Sequence, residues 1–297
     1  MTAPGKVYQL LADNIERVIR GKPEAVRLAL TALLAEGHLL IEDVPGLGKT
    51  SLARCIARSI DGSWNRIQFT PDLLPGDITG VMVYHQGAEK FELHPGGIFA
   101  NVVVADEINR GTPKTQSALL EVMAERRVTV DSIGHPVPDP FLVVATQNPI
   151  EMGYPDHDAE VEIVQGDTGR LGPDNLSPVT DLATLRQAIA GVRTVYVDPA
   201  ITSYAVRLAA ATRQHSAVRY GASPRGSIAL IRAGQAFATT DGRTFVTPDD
   251  VMQVAEPVLA HRLVLSPDAE LNLRRPASIV DEVLAATEAP TTAARGY

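Results

Sequence analysis

Residues 42–51 are Glu42-Asp43-Val44-Pro45-Gly46-Leu47-Gly48-Lys49-Thr50-Ser51, and they lie between an apolar run and a segment of helical character. A strand, a glycine-rich turn and a helix in this order form a cradle for phosphate, because backbone N–H groups and the helix N-terminus face the anion. The pattern predicts a P-loop in which residues 43–51 hold a nucleotide, Lys49 reaches its β- and γ-phosphates, and the Thr50 hydroxyl ligates Mg²⁺. The strict pattern has glycine where this chain has Asp43, and aspartate tolerates unusual backbone angles better than most residues.

Two carboxylates end a second apolar run, at residues 101–107. A continuous β-branched run is typical of a parallel strand that is covered on both faces. We expect Asp106 to hold Mg²⁺ through water and Glu107 to act as the general base that polarises the attacking water. A third strand at 141–146 precedes Asn148, whose amide could orient the same water. Because open α/β sheets bind ligands at the carboxyl ends of their strands, these residues predict one nucleotide site.

Each of these positions also has a plainer interpretation. Lys49 could be a solvated surface lysine after a tight turn. Asp106 and Glu107 could cap a strand and begin a loop, and Asn148 before Pro149 could only form a turn. The Gly-Lys-Thr sequence between strand and helix favours the nucleotide site.

Composition places limits on the class of protein. The chain has 297 residues, 45% of them hydrophobic and 21% charged, which is enough for two domains with cores of their own. Its formal net charge of −8 argues against nonspecific binding to nucleic acid. One cysteine, Cys55, excludes an intrachain disulfide framework and favours a cytoplasmic location. No apolar run approaches the length of a membrane span, and the histidines show no metal-ligand spacing.

Apolar spacing and turn residues predict the elements that surround the three strands. We expect helices at 7–19, 24–34 and about 113–126, strands at 66–69 and 128–130, and a β-hairpin at 81–93. The breaker-rich stretch 70–80 is not expected to be a plain helix.

The C-terminal part of the chain is predicted to be a small helical bundle. Three of its helices open with an N-cap residue followed by proline, which is a strong start signal. We expect helices at 181–190 after a Thr180 cap with Gly191 as the stop, and at 199–214, 224–237, 248–261 and 278–287.

Six stretches together resemble one family of proteins. They are EDVPGLGKT at 42–50, QFTPDLLPGD at 68–77, ADEINR at 105–110, QSALLE at 116–121, ATQNP at 145–149 and GASPRG at 221–226. This combination is similar to the MoxR family of AAA+ ATPases, in the group with a β-hairpin inserted in the second core helix. The resemblance covers nearly the whole chain.

The resemblance implies a domain organisation. It comprises an α/β core with a parallel sheet flanked by helices, which we place at 1–151 with the hairpin near 81–93, and a helical lid domain, which we place at 179–290. The glycines and prolines between them predict a linker at 152–178, and we expect a disordered tail at 291–297. Such proteins bind nucleotide between core and lid and assemble into rings.

The resemblance also implies an activity and its residues. ATP and Mg²⁺ are the expected cofactors, and ATP hydrolysis is expected to drive chaperone-like remodelling or maturation of partner proteins. The expected assembly is a hexameric ring, and the expected partner carries a von Willebrand factor A domain. Asn148 would be the sensor-one residue and Arg225 the sensor-two arginine, whose charge in the first turn of a helix calls for an anionic partner.

One departure from the family concerns the segment after Glu151. The family has a helix there, a Leu-Asp-Arg-Phe element whose arginine acts on the neighbouring subunit's nucleotide, and the last core strand. On that pattern roughly twenty residues are missing, whether by genuine deletion, by an engineered one or because this sequence omits them. A trans-acting arginine supplies a factor of ~10³–10⁵ in rate in other systems. Arg110, Arg126 and Arg127 are conceivable substitutes, although ordinary surface roles suit each of them.

Three functions therefore remain to be compared. The first is the Mg²⁺-dependent ATPase, and the second is a nucleotide-dependent binding module with little hydrolysis, which the missing segment motivates. The third is a nucleic-acid motor, which the acidic charge opposes. The sequence has no Asn-Lys-x-Asp motif, so a preference for GTP is not expected.

Overall fold

The computed structural model describes residues 3–42, 49–87, 89–147 and 172–290. Contacts divide the chain into two compact units, one of them Val7–Ala188 and the other Ile189–Tyr297 together with Ala3–Lys6. The α/β class is confirmed, because the first unit contains a parallel sheet flanked by helices and the second is mainly helical. The domain limits expected at 151 and 178 stay predictions. Most of the predicted linker and the predicted tail lie outside the described residues.

In the described residues a four-stranded parallel sheet organises the first unit, with strand order β1-β8-β5-β2. The elements up to residue 147 are α1 (Pro4–Glu16), α2 (Pro23–Leu34), β1 (Leu39–Glu42), α3 (Lys49–Ser59), β2 (Trp64–Gln68), α4 (Pro75–Thr79), β3 (Val81–His85), β4 (Lys90–His94), β5 (Val102–Asp106), α5 (Pro113–Glu125), β6 (Arg127–Val130), β7 (Ile133–Pro136) and β8 (Leu142–Gln147). Helix α3 lies between β1 and β2 along the chain, because parallel strands of one sheet need a crossover connection.

The two central strands show why this sequence makes a parallel sheet. Every residue of β5 is buried, and so are the first five residues of β8, as expected for strands covered on both faces. Strand β1 differs because, among the described strands, only β8 pairs with it. Its Leu40 side chain is 39% exposed. In the described part of the chain β1 is therefore an edge strand.

Two antiparallel hairpins are attached to this unit. Strands β3 and β4 pair from Val81↔His94 to His85↔Lys90, at the place expected for the inserted hairpin. Strands β6 and β7 form a second hairpin. The sequence-based expectation included only its first arm, because the second arm contains Gly134 and Pro136 and has little strand signal.

Three other segments of this unit differ from their predicted bounds or structure. The first helix is Pro4–Glu16 rather than 7–19, because the backbone N–H groups of Val18 and Ile19 both donate to the Ile15 carbonyl and end the helix in a turn. Strand β2 begins two residues earlier than predicted and ends at Gln68. The breaker-rich stretch 70–80 contains the short helix α4.

The second unit has its own hydrophobic core. The division at Ile189 falls within α6 (Leu182–Val192), which is followed by α7 (Pro199–Gln214), β9 (Val218–Tyr220), α8 (Pro224–Thr240), α9 (Pro248–Leu259), β10 (Val264–Leu265), α10 (Pro267–Leu271) and α11 (Pro276–Ala286). The core includes the fully buried Tyr204, Leu208 and Leu230. The antiparallel pair β9–β10 was not expected, since strands of three and two residues leave almost no pattern.

Local capping explains where the helices of the second half begin. Asp181, not Thr180, caps α6, because its carboxylate accepts from the Thr184 N–H at 2.7 Å. The helix then continues past the expected stop at Gly191 to Val192. Helix α8 runs three residues beyond the predicted end, and α11 begins at Pro276 rather than at Ser278.

Residues 172–180 are held against helices of the first unit. Arg54 of α3 donates two bonds of 2.5 Å to the Asp174 carboxylate, and the Thr180 N–H donates to the Ser59 carbonyl at the end of the same helix. Asn14 of α1 donates to the Ser177 carbonyl at 3.1 Å. The described end of the predicted linker is therefore anchored.

No helix among the described residues is long and apolar enough to cross a membrane.

His38, immediately before β1, predicts an acid-sensitive step in the stability of the first unit. Its Nδ1 accepts from the Val143 N–H at 3.1 Å and its Nε2 lies 3.2 Å from the Met123 carbonyl, while burial lowers its pKa from 6.5 to about 4. In the unfolded chain the His38 imidazole gains a proton below pH 6.5, whereas in the folded chain it stays neutral down to about pH 4. We expect the free energy of unfolding to fall by up to about 3 kcal/mol across that window, and to be unaffected by this group above it.

Denaturant titrations at pH 7 and pH 5, followed by the fluorescence of Trp64 in the same unit, measure this effect. His38→Gln should remove a large part of the pH dependence, whereas replacing the exposed His94 by Gln should leave it unchanged. A His38→Gln variant with the full wild-type dependence would show that another group is responsible.

Candidate functional site

The carboxyl ends of the four parallel strands form one edge of the sheet. Glu42 at the end of β1 pairs in register with Gln147 of β8, and Asp106 at the end of β5 pairs with Gln68 of β2. Of the predicted site residues, Asp106 and Glu107 lie at this edge. Predicted residues 43–48 of the P-loop and Asn148 lie outside the described residues.

Asp106 is nearly buried at this edge, with 8% of the residue exposed. Both of its carboxylate oxygens have partners. Thr146 of β8 donates its hydroxyl to Oδ1 at 3.0 Å, and the Nε of Arg66 donates to Oδ2 at 2.6 Å. The Asp106 charge is thus stabilised by one neutral donor from β8 and one cation from β2.

Glu107 is fixed by contacts on both its backbone and its side chain. The backbone is in the left-handed region, with φ of 56°, which is uncommon for a residue other than glycine and is often found at functional sites. The Glu107 N–H donates to the same Thr146 hydroxyl at 3.0 Å. Its Oε2 accepts from Gln68 at 3.0 Å and lies 3.1 Å from the Nε of Arg110.

A chain of hydrogen bonds connects the two carboxylates through strand β2. Arg66 holds Asp106 and also donates through Nη2 to the Gln68 Oε1 at 3.1 Å, while Gln68 donates to Glu107. Sequence reasoning assigned no role to Arg66, Gln68 or Thr146. The available signal was the spacing of two on β2, which puts Arg66 and Gln68 on one face while Ile67 is buried on the other.

Helix α3 begins at Lys49 and Thr50, both half-buried, directly after the undescribed part of the P-loop. Its inner face packs Leu52, Ala53 and Ile56 into the unit. Cys55 is buried, and burial raises the pKa of its thiol to about 12. These contacts fix the helix whose first residues are the predicted phosphate and metal ligands.

The residues present fit a Mg²⁺ ion that is completed by phosphate. Among the described residues there is no group of three or more His, Cys, Asp or Glu side chains that could hold a metal ion alone. An ion held by one carboxylate, one hydroxyl, water and nucleotide oxygens does not need such a group. Asp106 and Thr50 supply oxygen donors of the kind that Mg²⁺ prefers.

The sequence analysis named four arginines as candidates for contact with phosphate. Arg225 is the expected sensor-two residue, and Arg110, Arg126 and Arg127 are the conceivable substitutes for the trans-acting arginine. Arg225 lies exposed in the first turn of α8, and in the part of the chain that the structure describes no carboxylate pairs with it. Arg126 is bound to the Glu36 carboxylate and carbonyl at 3.3 and 2.8 Å. Arg127 lies across Gly134, where a Cβ would collide with its guanidinium. These last two have structural contacts, so only Arg110 of the three conceivable substitutes touches the site.

Two family models match the chain. The model described as "ATPase family associated with various cellular activities (AAA)" matches residues 38–162, which contain the strand edge and its carboxylates. The model described as "AAA lid domain" matches residues 210–283, which belong to the helical unit.

Individual relatives extend the match to nearly the full length. The uncharacterized protein YeaC of Bacillus subtilis is 43% identical, with 94% of this chain and 93% of that protein covered. Chaperone MoxR1 of Mycobacterium tuberculosis is 40% identical over 93% of this chain and 81% of its own length. A crystal structure of a protein from Cytophaga hutchinsonii, proposed to be an ATPase, superimposes with a TM-score of 0.89 at 31% identity, covering 97% of this chain and 96% of that one.

The lengths of these alignments bear on the missing segment. The alignment with YeaC extends over 301 positions although it includes only 94% of this chain, which has 297 residues. Some residues of YeaC therefore have no counterpart here.

Proposed function

Because this chain belongs to the MoxR-type AAA+ ATPases, we propose that it binds ATP with Mg²⁺ and hydrolyses it to drive chaperone-like remodelling or maturation of partner proteins. The observation that carries the proposal is the pair Asp106 and Glu107 at the carboxyl edge of the sheet, fixed to each other through the Thr146 hydroxyl. One hydroxyl that accepts from the Glu107 backbone and donates to Asp106 sets the relative position of the two carboxylates. Such fixed geometry is what a metal site with an adjacent base requires.

Each predicted site residue has a role in this proposed reaction. The backbone of residues 43–48 and the first turn of α3, with Lys49, Thr50 and Ser51, would hold the phosphates. Asp106 and Thr50 would hold Mg²⁺, which neutralises phosphate charge when it is bound. Glu107 would accept a proton from the attacking water. Asn148 would orient this water, and Arg225 would contact the γ-phosphate.

Electrostatics around Glu107 suit a base that is held in position. Gln68 and Arg110 both reach Oε2, so the carboxylate is oriented by a neutral and a charged donor. The contacts restrict the side chain to one orientation, as a base that must face one water requires. The left-handed backbone at this residue directs the chain away from the sheet into the turn at Ile108–Arg110.

A second candidate function is a nucleotide-dependent binding module with little hydrolysis. Two observations favour it: the sequence lacks the Leu-Asp-Arg-Phe element, and Arg126 has structural contacts instead of a free guanidinium. The two functions share the binding step and differ in turnover.

Assembly, partner and location belong to the proposal as well. MoxR-type AAA+ ATPases are generally oligomeric chaperones, and one relative of this chain is named Chaperone MoxR1. We propose a hexameric ring, a partner with a von Willebrand factor A domain, and action in the cytoplasm without nucleic acid. The family supports the ring, and the net charge of −8 supports the absence of nucleic acid.

The binding step is tested with Lys49→Ala, which we expect to raise the dissociation constant of Mg–ATP about tenfold or more, because a charge-assisted contact to phosphate is lost. Isothermal titration calorimetry measures this constant, and EDTA should weaken wild-type binding. Lys114→Ala is the matched control, since Lys114 is an exposed lysine in the first turn of another helix. Equal affinities for the two variants and wild type would contradict the assigned P-loop.

A further inference from the structure

Arg66 is the cation closest to the proposed metal site among the contacts described above. Its Nε lies 2.6 Å from Asp106 Oδ2, and the two side chains differ greatly in exposure, at 52% for Arg66 and 11% for Asp106. The carboxylate is thus fixed in the sheet, whereas the guanidinium is at the end of a long, half-exposed side chain. A shift of this pair would move Arg66 and not Asp106.

Charge balance indicates when such a shift would occur. Without a metal, the positive charges of Arg66 and Arg110 balance the negative charges of Asp106 and Glu107. A divalent cation held by Asp106 would neutralise this carboxylate in place of Arg66, since two cations beside one nearly buried carboxylate repel each other. If Asp106 holds the Mg²⁺ of Mg–ATP, terminal phosphate oxygens would lie near this carboxylate, and guanidinium groups bind such oxygens well.

We propose that Arg66 is an additional nucleotide-contacting residue, which neutralises Asp106 in the metal-free protein and contacts the terminal phosphate once Mg–ATP is bound. This inference rests on the proposed ATP site. It gives the chain a second arginine at the γ-phosphate besides Arg225, and the sequence lacks the Leu-Asp-Arg-Phe element whose arginine the family supplies from the neighbouring subunit.

Arg110 fits this role less well. Its partner is Glu107, which is the proposed base and not a metal ligand, so metal binding does not displace it. Gln68 reaches the same oxygen of Glu107, and Arg110 therefore takes part in orienting that carboxylate. Arg66, in contrast, is paired with Asp106, which is the proposed metal ligand.

Nucleotide binding to the full chain with and without Mg²⁺ tests the proposal. Calorimetry with ADP and with the non-hydrolysable analogue AMP-PNP separates contacts to the terminal phosphate from all others. In Mg²⁺ we expect Arg66→Gln to weaken AMP-PNP binding about ten- to a hundredfold and ADP binding by less than about twofold. In EDTA, where Arg66 stays with Asp106, the substitution should weaken neither nucleotide.

Two further variants make the comparison specific. Arg58→Gln removes an arginine of α3 that is half exposed and paired with Asp174, and it should bind both nucleotides like wild type. Arg66→Lys keeps the charge but not the planar fork, so it should retain part of the AMP-PNP affinity. If Arg66→Gln does not fold, as judged by circular dichroism, the selective loss of AMP-PNP affinity in Arg66→Lys provides the same test.

The outcomes separate this inference from the function on which it rests. Wild type that binds Mg–AMP-PNP, with an Arg66→Gln variant that binds it equally well or that loses ADP and AMP-PNP alike, would overturn the role of Arg66 and leave the ATP site intact. Wild type that binds neither nucleotide would overturn both.

Discussion

Replacing Glu107 by Gln should lower the rate of ATP turnover by about 10²–10⁴-fold, the usual contribution of a general base. Glutamine has nearly the same shape and can still accept from Gln68 and Arg110, which reach Oε2 at 3.0 and 3.1 Å. It cannot take a proton from water. Mg–ATP affinity should therefore stay within about twofold of wild type, because the lost function is confined to the chemical step.

Phosphate release under saturating Mg–ATP measures the rate, and calorimetry measures the affinity. Glu125→Gln is the matched control, since Glu125 is an exposed glutamate near the end of α5 and has no part in the strand edge. A Glu107→Gln variant that hydrolyses ATP as fast as Glu125→Gln would show that another group activates the water.

Replacing Asp250 by Asn should destabilise the helical unit by about 3–5 kcal/mol, the typical cost of breaking a buried ion pair from one side. Asp250 is 1% exposed and accepts two bonds from Arg243, at 2.5 and 2.6 Å. It also accepts from the backbone N–H and the hydroxyl of Thr247, at 2.7 and 2.9 Å, in the capping box of α9. These bonds raise the pKa of Arg243. In the Asn variant the guanidinium still stays charged, because arginine keeps its proton in proteins, and it then faces a neutral amide.

Denaturant unfolding followed by far-UV circular dichroism measures this loss. Asp249→Asn changes a neighbouring aspartate that is exposed in the same helical turn, and we expect its effect to be within about 0.5 kcal/mol. Equal unfolding midpoints for the two variants would mean that the Arg243–Asp250 pair contributes little.

Local signals in the sequence predicted much of the fold correctly. Strands β5 and β8 follow from continuous apolar runs, and helices that open with an N-cap and proline begin where expected, as at Pro199, Pro224 and Pro248. Errors occurred where the signal depends on a partner elsewhere in the chain. Strands β7, β9 and β10 are short and exist because another strand pairs with them.

The residues of the candidate site also fall into two classes, those with a local signal in the sequence and those whose contacts depend on a distant strand. Asp106 and Glu107 were identified from the end of an apolar run, which is a local feature. The contacts of Arg66 and Gln68 depend on the parallel register between β2 and β5, where Gln68 lies opposite Asp106. Register between distant strands is a tertiary property, so these two residues could be assigned only from the structure.

Relative to the family, the segment missing after Glu151 concerns both the parallel sheet and the rate of ATP hydrolysis. In the described part of the chain β1 has a neighbour on one side only, and the alignment with YeaC contains residues that this chain lacks. The second observation agrees with the lack of the family's Leu-Asp-Arg-Phe element in this sequence. Hydrolysis then has to use groups that the chain retains, and Arg66 and Arg110 are the arginines at the strand edge.

Steady-state ATP hydrolysis as a function of protein concentration, with Glu107→Gln as the reference and with intact mass confirmed, tests the central claim most directly. We predict Mg²⁺-dependent turnover that rises per subunit with concentration, as ring assembly requires, and that is lost in Glu107→Gln. Tight nucleotide binding without turnover at any concentration would contradict the ATPase and favour the binding module.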